Sequence, residues 1–351
     1  MTTTRSLLRR TLSALSLLAT LATPAWAETP PDTIRFGGFG QGFGKPSGLA
    51  LLAIAHQKSF LADAFAGQPV TLTFDYLTGV GPAINEALAN NRLDFAQYGA
   101  LPNIIGRAAG LPTLVIASYG FTTIYGIARQ GTNIQSFSDL KGKRVAVKKG
   151  TILHWAFLKA LAQHQLTTQD LQVLDLNAAD QLAALAAGSI DAAIGSSSLL
   201  ELRDRGVGTV FYSSKEVPDN QAHGFGAIVV REAFARQYPE TTQKVADALV
   251  RAAGWLADPG NRDEAYRIWA LSGVNIEHLR EEYDGVDMAQ SFSPRIDDFL
   301  RAQYQDAIQF SRDNRLIRND IDLTTWLVPE YVDTAITRQG LDNTLTRRSR
   351  P

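Results

Sequence analysis

The chain has 351 residues, 34 of them basic and 35 acidic, for a formal net charge of −1, and it has no cysteine. A balanced charge without a basic stripe argues against a nucleic-acid surface, and the absence of thiols excludes disulfides, thiolate catalysis and iron–sulfur clusters. A chain of this length, 45% hydrophobic, can build two lobes whose cores need no cross-links.

Arg5, Arg9 and Arg10 form a positive start, Leu12 to Ala22 an uncharged apolar run, and Ala25-Trp26-Ala27 a small-residue cleavage site. The pattern predicts a signal peptide over 1–27, cleaved after Ala27, and therefore export. The apolar run of roughly 12 residues falls short of the ~20 needed to span a bilayer. A strand from Thr33 to Phe36 then runs into the Gly-rich stretch Gly37 to Gly48, and a helix carrying Leu49, Leu52, Ala53 and Ala55 ends near Lys58. Val70 to Leu77 alternates as a strand, and a helix follows Gly79 to Pro82 and ends at Asn90. Leu93 to Gln97 is a third strand, with Tyr98-Gly99-Ala100 at a new helix start. Leu114 to Ser118 and Thr123 to Ala128 read as strands separated by a break at Gly120. This strand–helix–strand rhythm predicts parallel βαβ units.

The pattern then begins again. A short capped helix at Ser138 to Gly142 leads to a strand at Arg144 to Val147 and a helix at Leu153 to His164. Val173 to Leu176, Leu182 to Ala187 and Ile190 to Ile194 repeat strand, helix and strand. Within this second half, Leu182 to Ala193 restates the phrase Glu86 to Ala96, so that Asp94 and Asp191 occupy equivalent places about a hundred positions apart. Each Asp follows an aliphatic residue at a strand start, which suits a structural turn bond better than catalysis. The spacing predicts one copy per lobe of a two-lobed α/β protein, with ligand at the strand ends. Thr209 to Tyr212 and Ala227 to Val230 would return the chain to the first lobe, and the chain is helical from Arg231. The expected lobes are 32–119 with 224–342, and 120–223, joined by hinges near Ser118 to Thr122 and Gln221 to Gly226. A disordered tail is expected over 343–351.

Enzyme signals fail. The Gly-rich stretch spells no G-x-G-x-x-G, and Gly44-Lys45-Pro46 lacks the Ser/Thr of a phosphate loop. The five histidines show no zinc spacing on one helix face. What remains is a set of helix starts at matching places in the two halves, whose free N–H groups suit an anion. These are Tyr98-Gly99-Ala100, Thr151 with Ile152 and Leu153, and Ser196 with Ser197. Phe39, Gly40, Gln41, Gly42 and Phe43 form the loop expected to line the same cleft, and His154 sits in the first turn after Gly150-Thr151. Lys45, Lys148 and Lys149 could add positive potential. On this reading Thr151 and Ser196 hold the head group, while Tyr98, Phe39 and Phe43 pack on an organic tail.

Thr78-Gly79-Val80-Gly81-Pro82 with Glu86-Ala87-Leu88, then Leu93-Asp94-Phe95 and Gly106-Arg107-Ala108-Ala109-Gly110, carry a family resemblance. So do Asp139-Leu140-Lys141-Gly142-Lys143-Arg144-Val145-Ala146, Lys149-Gly150-Thr151 with His154, and Ala178-Ala179-Asp180. In order, from about Ile34 to Tyr331, the chain resembles the periplasmic solute-binding proteins of the aliphatic sulfonate, taurine and nitrate ABC importers. The resemblance implies a two-lobed, type II-like binding-protein fold, each lobe a mostly parallel sheet flanked by helices, with a C-terminal helical extension. It further implies a monomer that is no enzyme, uses no cofactor or metal, and hands a small organic anion to a membrane permease. Its ligand contacts carry over to Gly40 to Gly42, Tyr98 to Ala100, Thr151 to His154, and Ser196-Ser197. Sulfonate binders commonly place a small hydroxyl residue where Tyr98 stands, an acid at Ala100, hydroxyls at Ile152 and Leu153, and a Trp-acid-Pro-aromatic run over Gly195 to Ser198. With polar groups lost and Tyr98 gained, the expected ligand is a small sulfonate-like organic anion, with a larger or more apolar anion standing equally beside it. The alternatives are an enzyme of the related thiamine-pyrimidine branch and a binder of a pyrimidine.

Overall fold

The computed structural model describes residues 28–41, 43–45, 47–217 and 223–348; the expected signal peptide and its cleavage site lie outside them, as do Gly42 and Pro46. In chain order the first half holds β1 (Thr33–Phe39), α1 (Ala50–Gln57), α2 (Phe60–Ala64), β2 (Thr71–Leu77), α3 (Val80–Ala89), β3 (Phe95–Gly99), α4 (Ala100–Ala108) and β4 (Thr113–Thr122). There follow β5 (Tyr125–Arg129), β6 (Arg144–Val147), α5 (Ile152–Gln163), β7 (Gln172–Asp175), α6 (Ala178–Ala186), β8 (Ala192–Gly195), α7 (Leu200–Asp204), β9 (Gly208–Ser213) and β10 (Gly224–Arg231). The C-terminal extension supplies α8 (Glu232–Gln237), α9 (Pro239–Ala257), α10 (Arg262–Ala270), α11 (Ile276–Tyr283), α12 (Met288–Ser291), α13 (Asp298–Asp313), α14 (Leu323–Trp326) and α15 (Glu330–Arg338).

Two sheets form, in the orders β2-β1-β3-β10-β4 and β7-β6-β8-β5-β9. In each, one strand runs against the rest: β10 in the first and β5 in the second. Those are the two strands that the chain reaches by crossing from the other sheet, so each lobe is stitched to its partner through its own antiparallel strand.

The repeated Asp has a physical role that is the same in both lobes. Asp94 accepts from the main-chain N–H of Arg35 (3.0 Å) and from its guanidinium (2.8 Å), while Arg35 also donates to Asn91 O. Asp191 does the same to Arg144 N–H (2.9 Å) and its guanidinium (2.8 and 3.1 Å), and Arg144 donates to Gly188 O. In each lobe a carboxylate at the start of the central strand thus fastens the neighbouring parallel strand, β1 or β6. The turn that presents it needs a left-handed residue, Asn91 (φ 54°) or Gly188 (φ 73°).

Several boundaries differ from expectation, each because strand pairing outweighed local signals. β1 continues through Gly37 and Gly38 to Phe39 because β2 and β3 flank it on both sides. Tyr98 and Gly99 end β3 instead of opening a helix, since they pair with Ala227 and Gly226 of β10. Gly120 does not break β4: its φ of +106° sits at a bulge opposite Gly226, in one strand running to Thr122. A Cβ there would lie 2.4 Å from Ser291 O, so the close approach itself requires glycine. Gly120 to Thr122 therefore belong to the first sheet, and the crossing to the second is made by Thr123 and Ile124.

The extension also reaches across. Lys159 of α5 pairs with Asp306 of α13 (2.7 Å), and His278 Nε2 of α11 lies 2.6 Å from Asp204 of α7. Trp155 of α5 meets Phe225 of β10 and Phe310 of α13 edge to face, within an apolar core that draws on both sheets. The tail expected to be disordered packs as far as residue 348. Leu345 is buried, and Arg348 grips Asp297 (2.8 Å), because Asp297 offers a buried carboxylate beside Phe299. At the other end Glu28 accepts from Glu240 N–H (2.7 Å) and Thr241 N–H (3.1 Å), capping the first turn of α9.

Candidate functional site

The C-terminal ends of β1, β3 and β4 face those of β6, β7 and β8 across a cavity of about 110 Å³. The first lobe contributes Phe39, Gly40 and Gln41 after β1, Leu49 and Ala50 opening α1, and Val80 opening α3. It also contributes Gly99 and Pro102 at the β3–α4 junction, and Tyr119, Phe121 and Thr122 from β4. The second lobe contributes Lys148, Thr151, Ile152 and Leu153 at the β6–α5 junction, Asn177, Ala178 and Gln181 from α6, and Gly195 with Ser196 after β8. Tyr283, at the end of α11, closes one side.

Among the described residues that line it, Lys148 carries the one charged side chain, and there is no carboxylate, histidine or cysteine. Lys148 Nζ lies 3.1 Å from Asp175 Oδ1, so part of its charge is already matched. The remaining electropositive features are helix starts. The N-caps of α4 and α5 are Gly99 and Thr151, both extended; Gly99 has no side chain to cap with, and that of Thr151 takes no helix N–H. The first amides of each helix have no partner within the helix. Those of α5, on Ile152 and Leu153, belong to residues of the cavity wall at the positive end of the helix dipole. The α4 residue on the wall, Pro102, has no N–H, and Ala100 and Leu101 are buried off it. α1 is already satisfied in part, because Gln97 of β3 accepts from Leu52 N–H (2.9 Å) and donates to Leu49 O (2.9 Å). α6 is capped by Asn177, which accepts from Asp180 N–H (3.0 Å). Two lining residues, Ala50 (φ 59°) and Val80 (φ 54°), hold left-handed backbone that costs a branched side chain free energy.

The expected residues divide accordingly. Phe39, Gly40, Gln41, Gly99, Thr151, Ile152, Leu153 and Ser196 meet at the cavity wall, whereas Gly42 lies outside the described residues. Tyr98 does not reach it: strand alternation in β3 turns its ring inward, fully buried, with its hydroxyl 2.9 Å from Asn85 Oδ1. Ala100 is buried in the first turn of α4. Phe43 anchors its loop by packing on Gly273, whose open backbone (φ +94°) leaves room for the ring. Ser197 is 1% exposed and turns toward Glu282, a buried carboxylate that also accepts from Thr122 Oγ1 and Thr123 N–H. Burial pushes the Glu282 carboxyl up, against the opposing effect of those hydrogen bonds. His154 accepts weakly from Gly150 N–H (3.4 Å) off the cavity wall, and burial lowers its pKa. Lys45 and Lys149 are exposed.

Thr151 itself is positioned differently from expectation. Its hydroxyl donates to Lys148 O (2.6 Å), so its proton is spent on the loop. Thr151→Ala should therefore change affinity for an anion by no more than about 0.5 kcal/mol, well below the 1–3 kcal/mol of a stranded charge-assisted bond. Titration calorimetry of both proteins would decide it, and a tenfold loss would show that the hydroxyl turns to the ligand.

Residues the sequence did not flag come from β4 and α11, from the starts of α1, α3 and α4, and from α6 and the end of β8. The supposed break at Gly120 hid Tyr119, Phe121 and Thr122, and nothing near Tyr283 points to a cleft. Asn177 followed by Asp180 was a readable helix start after a strand.

Two parallel-rich sheets, each crossed by one antiparallel strand and separated by a cleft at the strand ends, define a two-lobed α/β binding-protein fold. The chain belongs to the NMT1/THI5 like family, whose model matches residues 81–261. A Bacillus subtilis (strain 168) protein bearing the provisional name aliphatic sulfonates-binding protein is 27% identical over 300 residues, covering 84% of this chain and 86% of that protein. The solved structure of a provisionally named periplasmic sulfonate-binding protein, SsuA, of a Methylobacillus flagellatus KT sulfonate ABC transporter superposes with a TM-score of 0.78. It is 27% identical and covers 92% of this chain and 99% of that one. The desulfurization enzyme DszB shares the fold at a TM-score of 0.67 and 19% identity, covering 88% of this chain and all of its own (100%).

Proposed function

We propose that this protein is the periplasmic solute-binding component of an ABC importer, closing on a small sulfonate-like organic anion and delivering it to the permease. The observation that carries this is the cleft itself: the uncapped start of α5, with Ile152 and Leu153 on the wall, at a cavity whose described lining includes Lys148 and no carboxylate. The relatives named above support the transport role, and the N-terminal pattern ending at Ala27 supports export with cleavage. Phe39, Tyr119, Phe121 and Tyr283 give the organic part an aromatic wall.

On this reading the lobes are 32–122 with 224–348, and 125–213. The crossing through Thr123 and Ile124 acts as one hinge and the return of the chain into β10 at Gly224 as the other, and the protein works as a monomer. The reading is binding without turnover. The described lining supplies no Cys, His, Asp or Glu from which a nucleophile–base pair could be built. Sharing a fold with DszB says nothing about chemistry.

A thermal-shift screen of sulfonates, sulfate esters, nitrate, carboxylates and pyrimidines tests it. A ligand at a hundred times its Kd should add about 2.7 kcal/mol, or roughly 4 °C for a protein of this size. A response only to cations or neutral sugars would sink the anion reading, and steady turnover of the bound compound would sink the binding-only one.

A further inference from the structure

Gln181 lies in the second turn of α6 and lines the second-lobe wall of the cleft, yet is only 1% exposed. Its Nε2 donates to Leu176 O (3.0 Å) and Ile194 O (3.4 Å). Both partners are carbonyl oxygens, which only accept, so turning the amide over would set oxygen against oxygen. The orientation is therefore fixed, and Oε1 is left as a buried acceptor with no partner. The polar side chains around it are otherwise accounted for. Asn177 caps α6, the Ser196 and Ser198 hydroxyls are 3.2 Å apart, and the Thr151 proton goes to Lys148 O. Oε1 lies beside Gly195, another residue of the wall, 3.1 Å from where a Cβ on it would stand.

A buried acceptor without a donor is costly, and the cost is removed when an occupant brings one. Lys148 is the charged group in the described lining, and no carboxylate lines the cleft to balance an ammonium. We infer that Gln181 is a specificity-determining residue and that the ligand is an organic anion carrying an uncharged hydrogen-bond donor, a hydroxyl or amide N–H, on the part facing the second lobe. The inference rests on the cleft being the binding site proposed above. It adds which organic anions that site prefers.

Calorimetric titration of two matched pairs tests it: ethanesulfonate against 2-hydroxyethanesulfonate, and propanoate against 3-hydroxypropanoate. The hydroxylated member should bind the wild type roughly tenfold more tightly. Gln181→Leu should erase that gap, so that the two members of each pair bind alike. If only the carboxylate pair binds and shows the gap, the role of Gln181 stands and the sulfonate reading falls. A wild type with no gap on either head group overturns the inference whether or not Gln181→Leu folds, and so does a gap that survives in a folded Gln181→Leu protein.

Discussion

Replacing Asp94 with alanine is expected to lower the unfolding free energy by about 2–3 kcal/mol, the cost of leaving two partly exposed guanidinium groups and a backbone N–H without their acceptor. The Asp94 side chain is fully buried and is held by two arginines, Arg35 at 2.8 Å and Arg231 at 2.6 Å. It also accepts the main-chain N–H of Arg35, so alanine would orphan a backbone donor in addition to two guanidinium contacts. The equivalent change, Asp191→Ala, should cost less, because Asp191 keeps 14% of its side-chain surface and its second arginine, Arg129, stands off at 3.4 Å. Hydrogen bonding to Arg144 holds the Asp191 carboxyl well below the usual carboxylate range. A depressed folded pKa stabilises the protein above the unfolded value of about 3.9, and that stabilisation is lost as pH falls toward the folded value. The difference between wild type and Asp191→Ala should thus be full at pH 7 and shrink only in strong acid. Urea unfolding of the three proteins measures all of this. A loss under 1 kcal/mol for Asp94→Ala would mean that the paired strands, not the carboxylate, hold β1 in place.

Ile152→Pro should weaken binding of an anionic ligand by roughly 10–100-fold, with little loss of helix. Ile152 is the first residue of α5, where the N–H has no helical partner and proline is tolerated. Thr151 before it is already extended (φ −114°, ψ 171°), as a residue preceding proline must be. The substitution therefore deletes one donor from the cleft and leaves the helix in place. The lost bond would be charge-assisted, worth about 1.5–3 kcal/mol. Ile152 also packs on Gly99 and Gly224, so Ile152→Ala is the needed control: it keeps the amide and loses the packing. If both variants bind equally, the amide takes no part, and the ligand is held elsewhere on the wall.

Much of the architecture was legible. The phrase shared by Glu86 to Ala96 and Leu182 to Ala193 announced two equivalent units, because it encodes a turn and a strand-locking carboxylate that both sheets need. Residues at true helix starts on the cleft, Thr151 to Leu153, were visible as a Gly-Thr loop before an apolar helix. Tyr98 was misplaced by a small shift in boundary. It belongs to the end of β3, where alternation sends its side chain into the core, and only pairing with β10 extends the strand that far. Phe43 reads as a cleft aromatic beside so many glycines, but its environment is set by Gly273, some 230 residues along the chain.

The sequence by itself determined the export pattern, the α/β rhythm, the doubling of the fold, and the class of cleft, since each rests on local periodicity or on a motif of short range. Tertiary structure alone decided the rest. It placed β10 and β5 as crossing strands, made Gly120 a bulge in a continuous strand, and carried Tyr283 from the helical extension to the cavity wall. It also spent the Thr151 proton on Lys148 O and left Gln181 Oε1 with no donor. Those outcomes depend on contacts between residues far apart in the chain, where burial and backbone pairing outweigh the preferences of any short segment.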